Sequence, residues 1–137
     1  MILVDTTPLV ALCDPRDALH RRALADLDRI GRRALFACAS VLTEACFLLE
    51  HRSQRERLQR LLASLPIRAL TADDEDVVWS RVFVWLNKYA DHDPDWTDGY
   101  LAVACSIERR AKIWSYDREF RTIWRREDGS KIPLAVK

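Results

Sequence analysis

The chain has 137 residues, 49% hydrophobic and 31% charged, a balance expected of one globular domain spanning 1–137 rather than a disordered or fibrous chain. A chain of this length buries about two-thirds of its unfolded surface and needs no staples. The net charge of +1 argues against a globally basic nucleic-acid binder, and no apolar run approaches the roughly 18 residues that a membrane helix requires.

The elements follow in order. Residues 2–5 read as a short buried strand ending in Asp5. Thr6 or Thr7 followed by Pro8 marks a helix start, with the helix over 9–12. An amphipathic helix over 17–29 ends near Gly31. Residues 34–39 form a second strand, and Ser40 caps a helix reaching about residue 50. Leu58, Leu61, Leu62 and Leu65 give helical spacing to 53–65. A short strand over 66–70 precedes a capping-box pattern at 71–74, which opens a helix to about residue 89. A polar loop over 91–96, a helix over 97–110, a strand over 112–116, a helical turn over 117–121 and a last strand over 132–136 complete the chain. Strands alternating with helices imply an α/β fold: a mostly parallel sheet of four to five strands covered on both faces, in three layers.

The four Cys contain no C-x-x-C pair and sit beside apolar residues, so neither zinc nor disulfides are expected, and a reducing, cytoplasmic setting is. The start lacks the basic n-region of a secretory signal. Basic residues cluster locally, and only four of the 22 are Lys, a bias that suits planar phosphate contacts.

Misplaced acids carry the most information. Glu44 interrupts an otherwise apolar helix, sharing a face with Val41 and Leu48. Asp98 shares a face with Leu101, Ala102 and Cys105, while Asp5 and Asp117 end or follow apolar strands. Taken singly, Asp5 and Asp117 read as helix caps, Asp98 as a first-turn acid and Glu44 as the partner of a buried Arg. Taken together, all four fall at one edge of a parallel sheet, where ligands bind. Carboxylates gathered there repel one another, and a hard divalent cation relieves that repulsion; all-oxygen donors suit Mg²⁺ or Mn²⁺. No G-x-S-x-G, Cys/His pair or P-loop supports a side-chain nucleophile or nucleotide binding.

The stretches ILVDTTPLVAL (2–12), LTEA (42–45), TDGYLAVA (97–104) and IWSYDREF (113–120) resemble the PIN-domain nucleases, above all the VapC-type toxins of bacterial toxin–antitoxin pairs. The resemblance spans almost the whole chain and implies a metal-dependent endoribonuclease with Asp5, Glu44, Asp98 and Asp117 as its catalytic acids. Asp5 and Asp98 are the first choices as metal ligands; Glu44, Asp117 and Asp95, within KYADHDPD (88–95), are further candidates. Thr6 and Ser115 occupy polar positions beside the acids and, with Arg118 and Arg121, are the candidate substrate-binding residues at the rim, the two arginines as grips on phosphates. Trp96 stands where an unpaired base could stack. Gly99 replaces the Ala usual after the acid and is expected to loosen that helix start. RNA, a cognate antitoxin and a second copy of the chain are the partners implied. The alternatives are a DNA nuclease, a small-substrate phosphohydrolase of the same fold, or a non-catalytic metal-stabilised nucleic-acid-binding module.

Overall fold

The computed structural model describes residues 1–137. Four short strands form its sheet: β1 (Ile2–Val4), β2 (Leu35–Ala37), β3 (Arg68–Ala69) and β4 (Lys112–Trp114), all parallel and ordered β3-β2-β1-β4. Seven helices connect them: α1 (Thr6–Cys13), α2 (His20–Ile30), α3 (Ala39–Leu48), α4 (Arg52–Ser64), α5 (Glu75–Lys88), α6 (Trp96–Ile107) and α7 (Glu119–Thr122).

The strand order dictates the layers. The steps from β1 to β2 to β3 run one way across the sheet, whereas the step from β3 to β4 returns past β1. Right-handed crossovers therefore place α1 to α4 on one face and α5 and α6 on the other. The packing agrees: α1 lies against α2, α3 and α4, and α5 lies against α6. Ile2, Leu3 and Val4 are buried because β1 is central and covered on both faces. The reversal falls between β1 and β4, so the carboxyl ends of these two strands border the switch point where parallel sheets bind ligands.

Several boundaries differ from expectation, each for a local reason. The last strand over 132–136 is reduced to one parallel bridge, Ile113 with Leu134, because Pro133 has no N–H to extend the ladder. Ser40 does not cap α3; Cys38 takes that position, and the Ser40 hydroxyl lies 2.8 Å from Thr97 Oγ1 instead. The box at 71–74 is not formed. Asp74 caps α5 through the Val77 N–H, while Glu75 accepts from the Ala72 N–H and the Tyr100 hydroxyl. The loop over 91–96 contains a 3₁₀ turn, Ala90–His92, and Trp96 already belongs to α6. Gly31, at φ 64°, terminates α2 as expected.

Gly99 does not loosen α6. A Cβ there would lie 2.9 Å from Val82 Cγ1 and 3.1 Å from Trp85 Cε3, so its missing side chain is what lets α5 and α6 approach. Overpacking of this kind costs about 1–3 kcal/mol, against about 1 kcal/mol recovered in helix propensity. Gly99→Ala is accordingly expected to lower Tm by roughly 5 °C in a thermal melt, not to raise it as an exposed helix position would.

Candidate active site

Asp5 occupies the N-cap position of α1, yet its side chain does not close a capping bond to the helix. It turns across the switch point, where Asp5 Oδ2 accepts the Ser115 hydroxyl at 2.6 Å. Ser115 Oγ in turn accepts the Asp117 N–H at 3.0 Å, so one hydroxyl links the strand end of β1 to the loop after β4. The Tyr116 N–H donates to Thr7 Oγ1 at 2.9 Å and ties the same loop to the first turn of α1.

Glu44 is half-buried on α3 and finds no buried Arg. Its two oxygens accept two threonine hydroxyls, Thr6 at 2.6 Å and Thr97 at 2.8 Å. One carboxylate thus joins α1, α3 and α6. Thr97, which the sequence reading passed over as a site residue, sits one position before Asp98; only the packing of α3 on α6 reveals its role.

Asp95 and Asp98 form a reciprocal capping box at the start of α6. Asp95 Oδ1 accepts the Asp98 N–H at 2.9 Å, and Asp98 Oδ2 accepts the Asp95 N–H at 3.1 Å. Asp95 is exposed and Asp98 buried. Asp117 accepts the Glu119 N–H at 3.0 Å, so its reading as a turn cap holds alongside its place near the other acids.

The electrostatics bind these groups into one cluster. Burial pushes the Asp5 carboxyl up from 3.8 to about 6; the Ser115 hydroxyl and the Thr6 backbone N–H oppose the rise, and Glu44 and Asp95 add to it. Burial likewise lifts Asp98 to about 8, reinforced by the charges of Asp95, Asp5 and Asp117. Glu119, a further acid not singled out from the sequence, is raised by burial and by its neighbours Asp117 and Asp95. None of Asp5, Glu44, Asp95, Asp98 and Asp117 takes part in an ion pair, all of which lie elsewhere in the molecule. The protein supplies hydroxyls and backbone N–H groups to these acids, and no cation.

The donor set, all oxygen and rich in negative charge, fits a hard divalent ion. In the arrangement described, no three acidic, His or Cys side chains are drawn together closely enough to enclose one.

The residues expected at the rim divide. Thr6 and Ser115 spend their hydroxyls on Glu44 and Asp5, so they hold carboxylates in place rather than offering a free donor. Arg118 and Arg121 are exposed and border a cleft with Asp117. Arg126, close behind them in the chain, is instead buried and donates to the carbonyls of Cys105, Arg109 and Lys131. Trp96 packs edge-on against Trp79 and Phe83, with ring centroids at 6.2 and 5.2 Å.

A family model of the PIN domain matches residues 2–124. The chain belongs to the PIN-domain family. Members of this family are nucleases, and the acids above lie on the elements that the match covers. The PIN domain also superposes on the crystal structure of Mycobacterium tuberculosis VapC20, a sarcin–ricin loop cleaving toxin, with a TM-score of 0.69 over 88% of this chain and 93% of that one. Identity between the two is 20%, so the likeness is one of fold. A search of curated proteins finds no match.

The raised carboxyls make the stability of this PIN domain pH-dependent. Asp5 and Asp98 bind protons more tightly folded than unfolded, so above about pH 4 the unfolded chain releases them first. Their contribution therefore declines as pH rises from about 4, through about 6 for Asp5 and about 8 for Asp98. Urea unfolding in EDTA should show stability falling across this window. Asp98→Asn should flatten the decline and stabilise the metal-free protein at pH 8.

Proposed function

We propose that this PIN domain is a Mg²⁺- or Mn²⁺-dependent endoribonuclease that hydrolyses RNA phosphodiester bonds as the toxin of a toxin–antitoxin pair. The observation that carries the reading is the cluster Asp5, Glu44, Asp95, Asp98 and Asp117 at the switch point, without an ion pair on any member. Maintaining such repulsion is costly unless a cation neutralises it. RNA as substrate and an antitoxin as partner rest on the resemblance to VapC-type toxins and on the shared fold with VapC20.

In this reading Asp5 and Asp98 are the principal metal ligands, with Glu44, Asp117 and Asp95 completing the acidic set. A bound divalent ion would supply charge neutralisation at the phosphate and a water of lowered pKa. The chain's own groups provide the geometry. Thr6 and Thr97 fix both oxygens of Glu44. Ser115 orients Asp5 while the Glu119 N–H orients Asp117. Asp95, Asp98 and Asp117 each retain one oxygen without a protein hydrogen bond, available to a ligand or a water.

Homodimerisation belongs to the same proposal. Helix α4 offers no surplus apolar area for it, since Leu58 is buried and Leu61, Leu62 and Leu65 pack on the core. The surplus lies on α5, where Val77, Trp79, Phe83 and Val84 are all more than half exposed. Val77 with Val84 on one flank of α5, and Trp79 with Phe83 on the other, leave apolar area for a second copy to cover. No helix is long and apolar enough to cross a membrane. Light scattering at micromolar concentration should give a dimer, and Val84→Glu should shift it to monomer.

Catalysis is tested directly. The purified protein should cleave single-stranded or looped RNA with Mg²⁺ or Mn²⁺ and lose the activity in EDTA. Asp5→Ala and Asp117→Ala should each lower the rate by about 10²-fold or more with native circular dichroism. Asp95→Ala should cost less, and Asp73→Ala nothing. Equal rates for Asp5→Ala and Asp73→Ala would overturn the assignment, and faster cleavage of DNA or of a small phosphodiester would redirect the substrate.

A further inference from the structure

Beside the acidic cluster lies a cleft of about 230 Å³ lined by Ser115, Asp117, Arg118 and Arg121, and also by Tyr116 and Arg22. Arg22 comes from α2, nearly a hundred positions away in sequence, and nothing in the sequence ties it to the acids. Its guanidinium lies over the Tyr116 ring at 4.7 Å from the centroid. Arg22 Nε stands 3.7 Å from Asp26 Oδ2, and Nη2 donates to the Lys137 backbone oxygen. The Tyr116 hydroxyl donates to Asp26 at 2.8 Å and accepts the Trp114 indole N–H at 3.1 Å. Asp26 itself is buried. Arg22 is therefore held by a ring face, a buried carboxylate and a backbone oxygen, yet its side chain remains 45% exposed.

An arginine on a solvated helix face needs none of this support. Arg118 and Arg121, which line the same cleft, form no ion pair at all. Three guanidinium groups thus converge on one cleft, with a single carboxylate in ion-pair reach of only one of them. Such an arrangement is complementary to a phosphodiester, whose oxygens accept the planar N–H fork. The cleft is lined by Asp117 of the acidic cluster and by Ser115, which donates to Asp5, so the two sites adjoin.

We propose that Arg22, Arg118 and Arg121 form a phosphate subsite that grips the RNA strand beside the bond to be cleaved, with Tyr116 and Asp26 as positioning residues for Arg22. The inference rests on the ribonuclease reading and extends it by one contact point. Phosphate contacts position a strand without reading its sequence, so the subsite contributes affinity and register for any RNA. Arg22→Ala should therefore weaken binding equally across RNAs of different sequence.

Two measurements test it. In the first, fluorescence anisotropy follows binding of labelled single-stranded RNA oligonucleotides over a KCl series, in an Asp5→Asn background that prevents turnover. Each lost phosphate contact should flatten the slope of log affinity against log salt by about 0.7. Arg22→Ala, Arg118→Ala and Arg121→Ala should each show this change, and Arg22→Lys should retain most of the slope. Arg118→Ala and Arg121→Ala remove exposed side chains without ion pairs, so they carry the test even where Arg22→Ala perturbs the fold. In the second, steady-state cleavage with Mg²⁺ separates kcat from KM. Arg22→Ala should raise KM several-fold on an oligonucleotide with little change in kcat, and should leave cleavage of a dinucleotide, which has no neighbouring phosphate, as in the parent protein. Tyr116→Ala should reproduce the Arg22→Ala pattern. Unchanged salt slopes in all three arginine variants would overturn the subsite, whether or not the parent cleaves RNA. A parent that binds with the expected slopes but cleaves no RNA would instead overturn the ribonuclease reading.

Discussion

The constraint on which this molecule turns is the placement of several carboxylates at the one edge of the sheet where they cannot avoid one another. Asp5 and Asp98 are buried, and burial together with mutual repulsion lifts both well above the usual carboxylate range. A fold selected for stability alone would place a guanidinium among them, since a buried charge without a partner costs several kcal/mol. The chain contains 18 arginines and places none in ion-pair contact with these acids. It uses hydroxyls and peptide N–H groups instead, which orient a carboxylate without cancelling its charge.

That choice explains the neighbouring residues. Thr6, Thr97 and Ser115 each give a hydroxyl to an acid, and together they connect α1, α3, α6 and the end of β4. The threonine hydroxyls on Glu44 act as a staple between helices on opposite faces of the sheet. The α6 end of that staple is set by α5, which lies close enough at Gly99 that a single added carbon would collide with Val82. The geometry of the acids therefore depends on backbone packing several residues away.

The surroundings of the cluster are divided by chemistry. Toward α7 and α2 the rim is cationic, with Arg22, Arg118 and Arg121 around one cleft. Toward α5 it is aromatic, with Trp96 set edge-on against Trp79 and Phe83. In the proposed ribonuclease the cationic rim is complementary to the phosphates of a bound strand.

The fold class and the acids that stand out of place were legible in the sequence because both are local signals. Alternating apolar strands and amphipathic helices require a covered parallel sheet, and an acid inside an apolar run is conspicuous without any partner being known. Boundaries that depended on a single cap were less legible: Ser40 and Thr71 have capping chemistry, but Cys38 and Asp74 hold the positions. Long-range packing alone decided the rest. Thr97 meets Glu44 across 53 positions, Arg22 meets Tyr116 across 94, and Arg126 turns inward to serve carbonyls whereas Arg118 and Arg121 face solvent. A hydroxyl or guanidinium looks alike in a sequence whether it is solvated or committed, because what it binds is set by which helices the sheet brings together.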